Sequence, residues 1–262
     1  MGHLKLMLFS TAMAAVVASG LAALHLLRQR PRADALSWDG VVGWMFLTVV
    51  WGLLVPFTLW LHFTHQAAAW VFGGETYDGG VIETLTGLSL LGIFAVALLA
   101  MRRPGRLPRW VWGLTAIGAV MAFGEEASWG QHLFHWQATG AFATDNLQAE
   151  TNLHNFISPR VYDLLYMAFG WITLGFVALL VAEDGPLPRL VDRYIPGLRP
   201  DTLAVALLLS AAILIQHEIF EEMAEAVVFV AFARLCLLAA GMTRDPAERA
   251  RLGPAGAARP FS

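Results

Sequence analysis

Cysteine and charge are what this sequence has least of. Its single cysteine, Cys236, excludes an internal disulfide framework and any Cys-based metal cluster. It lies in an apolar run and reads as core filler. Only 14% of the 262 residues are charged, against about a quarter in soluble domains, while 57% are hydrophobic. The net charge of -3 leaves no basic surplus, and no nucleic-acid partner is expected. Short segments of alternating polarity are also missing, which excludes a transmembrane β-barrel.

What the chain has instead is apolar blocks of about 20 residues, the length a helix needs to cross a hydrocarbon core of about 30 Å. The expected class is therefore all-α, a polytopic helical membrane protein. Residues 1–242 form one transmembrane domain and 243–262 a polar, disordered cytoplasmic tail. The first block runs from Leu6 to Leu27 and is followed by Arg28, Arg30 and Arg32. A cleaved leader ending near Ala18-Ser19-Gly20 competes with a retained span, but the apolar run and the basic cluster beyond it favour the span. A second block, Val41 to Phe63, contains Pro56, where a kink is expected. The third spans Val81 to Met101, the fourth starts at Trp110, and the fifth covers Val161 to Ala182.

From Leu203 to Ala240 there is no glycine or proline. That stretch is nearly twice what a bilayer needs, so it divides into two spans near residues 222–226. Arginines then set orientation, because cytoplasmic loops are rich in basic residues. They follow spans one, three and five and recur in the tail, at Arg244, Arg249, Arg251 and Arg259, with Arg160 the exception. This pattern puts the N-terminus outside and the C-terminus inside, which calls for seven spans, with six as the alternative.

Against this background the stretch Gly124 to Asn155 is anomalous. Carboxylates in lipid cost at least about 2.5 kcal/mol each, so Glu125 and Glu126 at the end of an apolar helix imply partners. On a continuing helix, Glu125 and His132 are two turns apart and share a face. Glu150 and His154, four apart, share another and suit one metal ion. Further on, a helical wheel puts His217, Glu218, Glu221, Glu222 and Glu225 on a single face. Four glutamates there need a cation, shared protons or neutralisation. Glu125 and Glu218 both lie about 22 Å above the inner ends of their helices, so the clusters share a depth.

The histidines His62, His65, His132, His135, His154 and His217 map to the same outer half. Carboxylate with imidazole suits Zn, Fe or Mn. One or two such divalent ions are expected, held by Glu125, Glu126, Glu150, His154, His217, Glu218 and Glu221, with Glu126, Glu222 and His132 in catalytic roles. His217 to Glu221 matches the zinc-protease pattern HExxH except for Glu in the last place. Trp129 is placed to shield the site from water. Trp38, Trp110 and Trp112 fit the inner aromatic belt, and Trp70 and Trp136 the outer one.

The segment Gly124-Glu-Glu-Ala-Ser-Trp-Gly-Gln131, with Asn152-Leu-His-Asn155, resembles a group of multi-pass bacterial membrane proteins to which no activity is assigned. That resemblance implies a shared site. The Glu125-Glu126 pair is also similar to that of the intramembrane CAAX-type proteases, although Gly130 stands where they carry arginine. The expected function is a metal-dependent enzyme of the bacterial inner membrane, its site toward the periplasm, acting on a lipid or other hydrophobic substrate by hydrolysis or oxidation. A proton- or cation-coupled transporter using the same glutamates is the alternative, and a structural subunit of a larger complex the third reading.

Overall fold

A computed structural model describes residues 2–28, 38–64, 71, 80–103, 107–181, 189, 193 and 201–242. His65, Trp70, the acidic connection at 75–78, the loop arginines Arg30, Arg32, Arg106 and Arg199, and the tail from 243 lie outside the described residues. Among those described there is no strand.

Helix α1 covers Gly2–Arg28. Helix α2, Trp38–Val49, passes through a π-helical turn, Val50–Leu54, into α3, Val55–Thr64. The irregularity expected at Pro56 takes this form: proline has no N–H to donate one turn back, and a widened turn just before it accommodates the ring. Helices α4, Val81–Met101, and α5, Arg109–Glu126, form an antiparallel-connected pair. One-turn helices α6, Gln131–Phe134, and α7, Ala141–Thr144, lie in the connection to α8, Pro159–Val181. Then come α9, Thr202–Leu214, and α10, Glu221–Ala239.

Among the described residues, four stretches are long and apolar enough to cross a membrane: Lys5–Leu24, Val42–Thr64, Val81–Met101 and Pro159–Val181. Helices α5 and α10 have comparable length but carry charge, and α9 is apolar but short.

The centre of the bundle is α9. It packs against α1, α2, α8 and α10, and residues on all its sides are buried, as an all-round apolar helix requires. Gly170 of α8 makes the close approach possible, since a Cβ there would lie 2.1 Å from Gln216 Nε2 and 3.0 Å from the Ala212 carbonyl. Helix α10 bridges α9 to the α4/α5 pair, with Trp112, Ala116 and Cys236 in their shared core. Trp112 is only 3% exposed, so it packs inside rather than joining an aromatic belt.

The glycine-free, proline-free stretch breaks at 215–220, not at 222–226. Helices α9 and α10 fold back on each other as a hairpin whose open end is closed by Asp201 and Arg234, with Arg234 Nη2 2.5 Å from Asp201 Oδ2. Side chains do what glycine or proline would have done. Gln216 Nε2 donates to the Ala212 carbonyl at 3.0 Å, and the extended His217 accepts from the Ile219 amide at Nδ1. The freed backbone groups of the turn thus find partners within it.

Candidate functional site

Helix α5 ends at Glu126 because the chain then enters left-handed conformations at Ser128 (φ 42°), Trp129 (φ 52°) and Gly130 (φ 85°). Such angles cost about 1 kcal/mol or more at non-glycine residues, so something beneath must hold them. That something is a polar network joining the two halves of the Gly124–Asn155 stretch. Ser128 Oγ donates to Glu150 Oε2 at 2.8 Å and accepts from Asn152 Nδ2 at 3.0 Å. Asn152 and Asn155 also donate to Glu150 Oε2, at 2.7 and 3.3 Å. Gln131 accepts from the Thr151 amide at 2.7 Å and donates to the Ala149 carbonyl at 3.2 Å. Asn146 braces the far side, accepting from the amides of Gln148 and Glu150, each at 3.1 Å.

Trp129 belongs to this network. Its ring lies against Gly124, where a Cβ would come within 2.7 Å of it, and its Nε1 donates to Glu125 Oε1 at 3.0 Å. The indole is 41% exposed and braces the helix end rather than sealing a site from water. The other Glu125 oxygen accepts from the Leu153 amide at 2.6 Å.

These contacts overturn two expected pairings. Glu125 and His132 do not share a face, because the helix between them stops. Glu150 and His154 are not on one helical turn, because the backbone is irregular until a 3-10 turn at His154–Phe156. The partners are exchanged instead. His132 Nε2 lies 3.0 Å from Glu150 Oε1, and His154 Nδ1 lies 3.9 Å from Glu125 Oε2. Burial holds the His154 imidazole below its ordinary pKa, against the opposing pull of Glu125 and Glu150. Glu125, Glu150 and His132 are therefore occupied in pinning residues 127–155 over the end of α5.

Glu126, the next residue, interacts electrostatically with Glu222 of α10 and with Tyr162 of α8. The charges that act most strongly on Glu222 are carboxylates: Glu225, Glu83, Glu126 and Glu221. Glu83 comes from the first turn of α4, where it also accepts from the Gly80 amide at 3.2 Å. Glu225 is bonded to the Tyr166 hydroxyl, which lies 2.7 Å from the Tyr162 hydroxyl. Tyr162 in turn packs beside His154, ring centroids 6.4 Å apart. Four helices thus contribute to one group: Glu83 from α4, Glu126 from α5, Tyr162 and Tyr166 from α8, and Glu222 and Glu225 from α10.

A second polar group surrounds the hairpin turn. His217 interacts with Glu218, His62 and Asp163, and Glu221 with Glu225, Asp163 and Glu218. Asp163, Gln216, His217, Glu218, Glu221 and Tyr166 line a narrow crevice here. The single helical face expected for His217, Glu218, Glu221, Glu222 and Glu225 is not formed, since His217 and Glu218 precede α10 in a turn. The HExxH-like match fails for the same reason: its residues do not sit on one helix. Among the described residues, no three His, Cys, Asp or Glu side chains stand close enough around one point to hold a metal ion as they are.

Glu83, Tyr162 and Tyr166 escape a reading of the sequence. Their traces there are slight: Glu83 opens the apolar helix that precedes the one Glu126 closes, and the two tyrosines are four apart at the start of another.

Comparison of the chain with protein-family models, curated proteins and solved structures finds no match.

Proposed function

We propose that this chain is a polytopic membrane enzyme whose carboxylate group between α4, α5, α8 and α10 binds a divalent cation and acts on a lipid or other hydrophobic substrate. The observation that carries the reading is the surround of Glu222, on which carboxylates of three helices act, Glu225 and Glu221 of α10, Glu83 of α4 and Glu126 of α5. Carboxylates brought together away from bulk water repel one another, and a cation among them removes that repulsion. Glu83, Glu126 and Glu222 are the ligands in this reading, drawn together when the ion binds. Glu225, anchored by Tyr166, and His154, across the Tyr162 ring, complete the polar lining. An oxygen-rich donor set favours Mn among the ions Zn, Fe and Mn. Such an ion supplies Lewis acidity and an activated water for hydrolysis or, as iron, oxygen chemistry.

In this proposal the chain crosses the membrane seven times with its N-terminus outside and C-terminus inside. The site then lies toward the periplasmic side of a bacterial inner membrane. Thr115 of α5 and Ser210 of α9 are hydrogen-bonded within the protein, Thr115 to the Val111 carbonyl and Ser210 to Trp51 Nε1. That speaks for a site opening on one side over a through-path. Elemental analysis of purified protein tests the proposal: stoichiometric Zn, Fe or Mn is expected, and its absence overturns the metal reading.

One observation favours a second reading. The Tyr166 hydroxyl has one proton and two oxygen partners, Tyr162 and Glu225, so it donates to one and accepts from the other. A proton-coupled carrier would use such a chain. Proton flux in liposomes that disappears in Glu126→Gln would favour it over the enzyme.

A further inference from the structure

The cap at 127–157 has two unlike sides. Its inner side is the polar network around Glu150. The one-turn helix α6 shows the division residue by residue: Gln131 and His132 turn inward to Thr151 and Glu150, while Leu133 and Phe134 turn outward, 74% and 69% exposed. His135 then takes a left-handed turn (φ 57°), and Trp136 comes back to stack on Phe134, centroids 5.7 Å apart and planes within 8°. Trp136 Nε1 is bonded to Thr151, so its polar end is satisfied inward and its exposed ring is apolar. Leu147 and Leu153 are also exposed on this cap.

The length of α5 sets where these side chains stand. Its 18 residues rise about 27 Å, slightly less than a hydrocarbon core of about 30 Å. Arg109, at its start, belongs at the opposite interface. The end of α5 therefore lies at or just inside the hydrocarbon boundary, and the cap begins there. Along α5 the exposed residues Trp110, Leu114, Ile117 and Met121 recur at helical spacing as one apolar stripe of the membrane-facing surface. Leu133 and Phe134 extend an apolar surface of the same kind past the end of the helix, with a tryptophan at the level where amphipathic rings concentrate.

We infer that the cap is a lipid-seated element, with Leu133, Phe134 and Trp136 inserted at the boundary between headgroups and acyl chains of the leaflet on the site's side. The occupant of this surface is the bilayer itself. The polar network is then what lets an irregular segment sit at that depth, since it satisfies backbone and side-chain polar groups from within. This inference rests on the membrane-spanning reading and is independent of any metal.

Spin labels at single cysteines in a Cys236→Ala background, reconstituted into phosphatidylcholine vesicles, test it through collision with oxygen and with a water-soluble nickel chelate. Leu133→Cys and Phe134→Cys are the cap positions, Ile117→Cys the membrane reference and Asp145→Cys the aqueous one. Labels at 133 and 134 are expected to favour oxygen over nickel, as at 117, with the ratio reversed at 145. Nickel preference at both 133 and 134 with oxygen preference at 117 overturns the inference and leaves the membrane reading standing. Nickel preference at 117 as well overturns both.

Discussion

His132 Nε2 lies 3.0 Å from Glu150 Oε1, across 18 residues of chain, and this contact is one of several that lock the cap onto the end of α5. The Glu150 side chain is only 9% exposed and accepts from Ser128, Asn152 and Asn155 as well. Replacing it by glutamine keeps the shape but removes the charge that strengthens each bond. Glu150→Gln is expected to cost about 1.5–3 kcal/mol, the worth of charge-assisted hydrogen bonds. Faster amide hydrogen exchange across 127–157, with little change in α9, is the expected readout.

Gly124 and Trp129 are coupled by contact. Gly124→Ala would drive a methyl group into the indole ring and is expected to destabilise by about 1–3 kcal/mol. In Gly124→Ala/Trp129→Ala the clash is gone, so the two losses should add to more than the double variant shows. A double-mutant cycle on thermal unfolding in detergent measures this, and strict additivity would contradict the packing described.

Glycines within the helices are expected to differ in sign. A Cβ at Gly170 meets Gln216 and the Ala212 backbone, and Gly170→Ala should force α8 off α9 at about 1–3 kcal/mol or more. A Cβ at Gly118 of α5 meets nothing within 4 Å. Gly118→Ala should stabilise by about 0.5–1 kcal/mol through helix propensity alone. Comparing the two unfolding midpoints separates the cases.

Asp201 has two tasks at the open end of the α9/α10 hairpin. One carboxylate oxygen caps α9 through the Ala204 amide at 2.8 Å, and the other pairs with Arg234. Asp201→Asn keeps a capping oxygen and loses the ion pair, whereas Asp201→Ala loses both. The alanine variant is expected to be less stable than the asparagine variant by about 1 kcal/mol, the typical worth of an N-cap.

The helical class and the placement of the apolar blocks were legible because their physical cause, the length of a bilayer crossing, is written directly in composition. Glu126 and Glu222 stand out in the sequence for a similar reason, as charges in or beside apolar helices, where charge is costly. The pairing of Glu125, His132, Glu150 and His154 was not legible, because it depends on left-handed backbone at the non-glycine residues Ser128, Trp129 and His135, a conformation such residues adopt in only a few per cent of cases. The hairpin break at 215–220 was hidden likewise: Gln216 and His217 end α9 through their own side-chain bonds, and what holds Gln216 in place is Ser10 of the distant α1, whose hydroxyl donates to its Oε1. Glu83 looked like an ordinary first-turn carboxylate, and its approach to Glu222 comes from the packing of α4 on α10.

The most direct measurement is metal stoichiometry in three purified proteins: wild type, Glu222→Gln and Glu125→Gln. A site between the helices predicts near-stoichiometric Zn, Fe or Mn in wild type and in Glu125→Gln, whose carboxylate serves the cap, and a large loss in Glu222→Gln. Wild type without metal, or metal lost from Glu125→Gln and retained in Glu222→Gln, would contradict it.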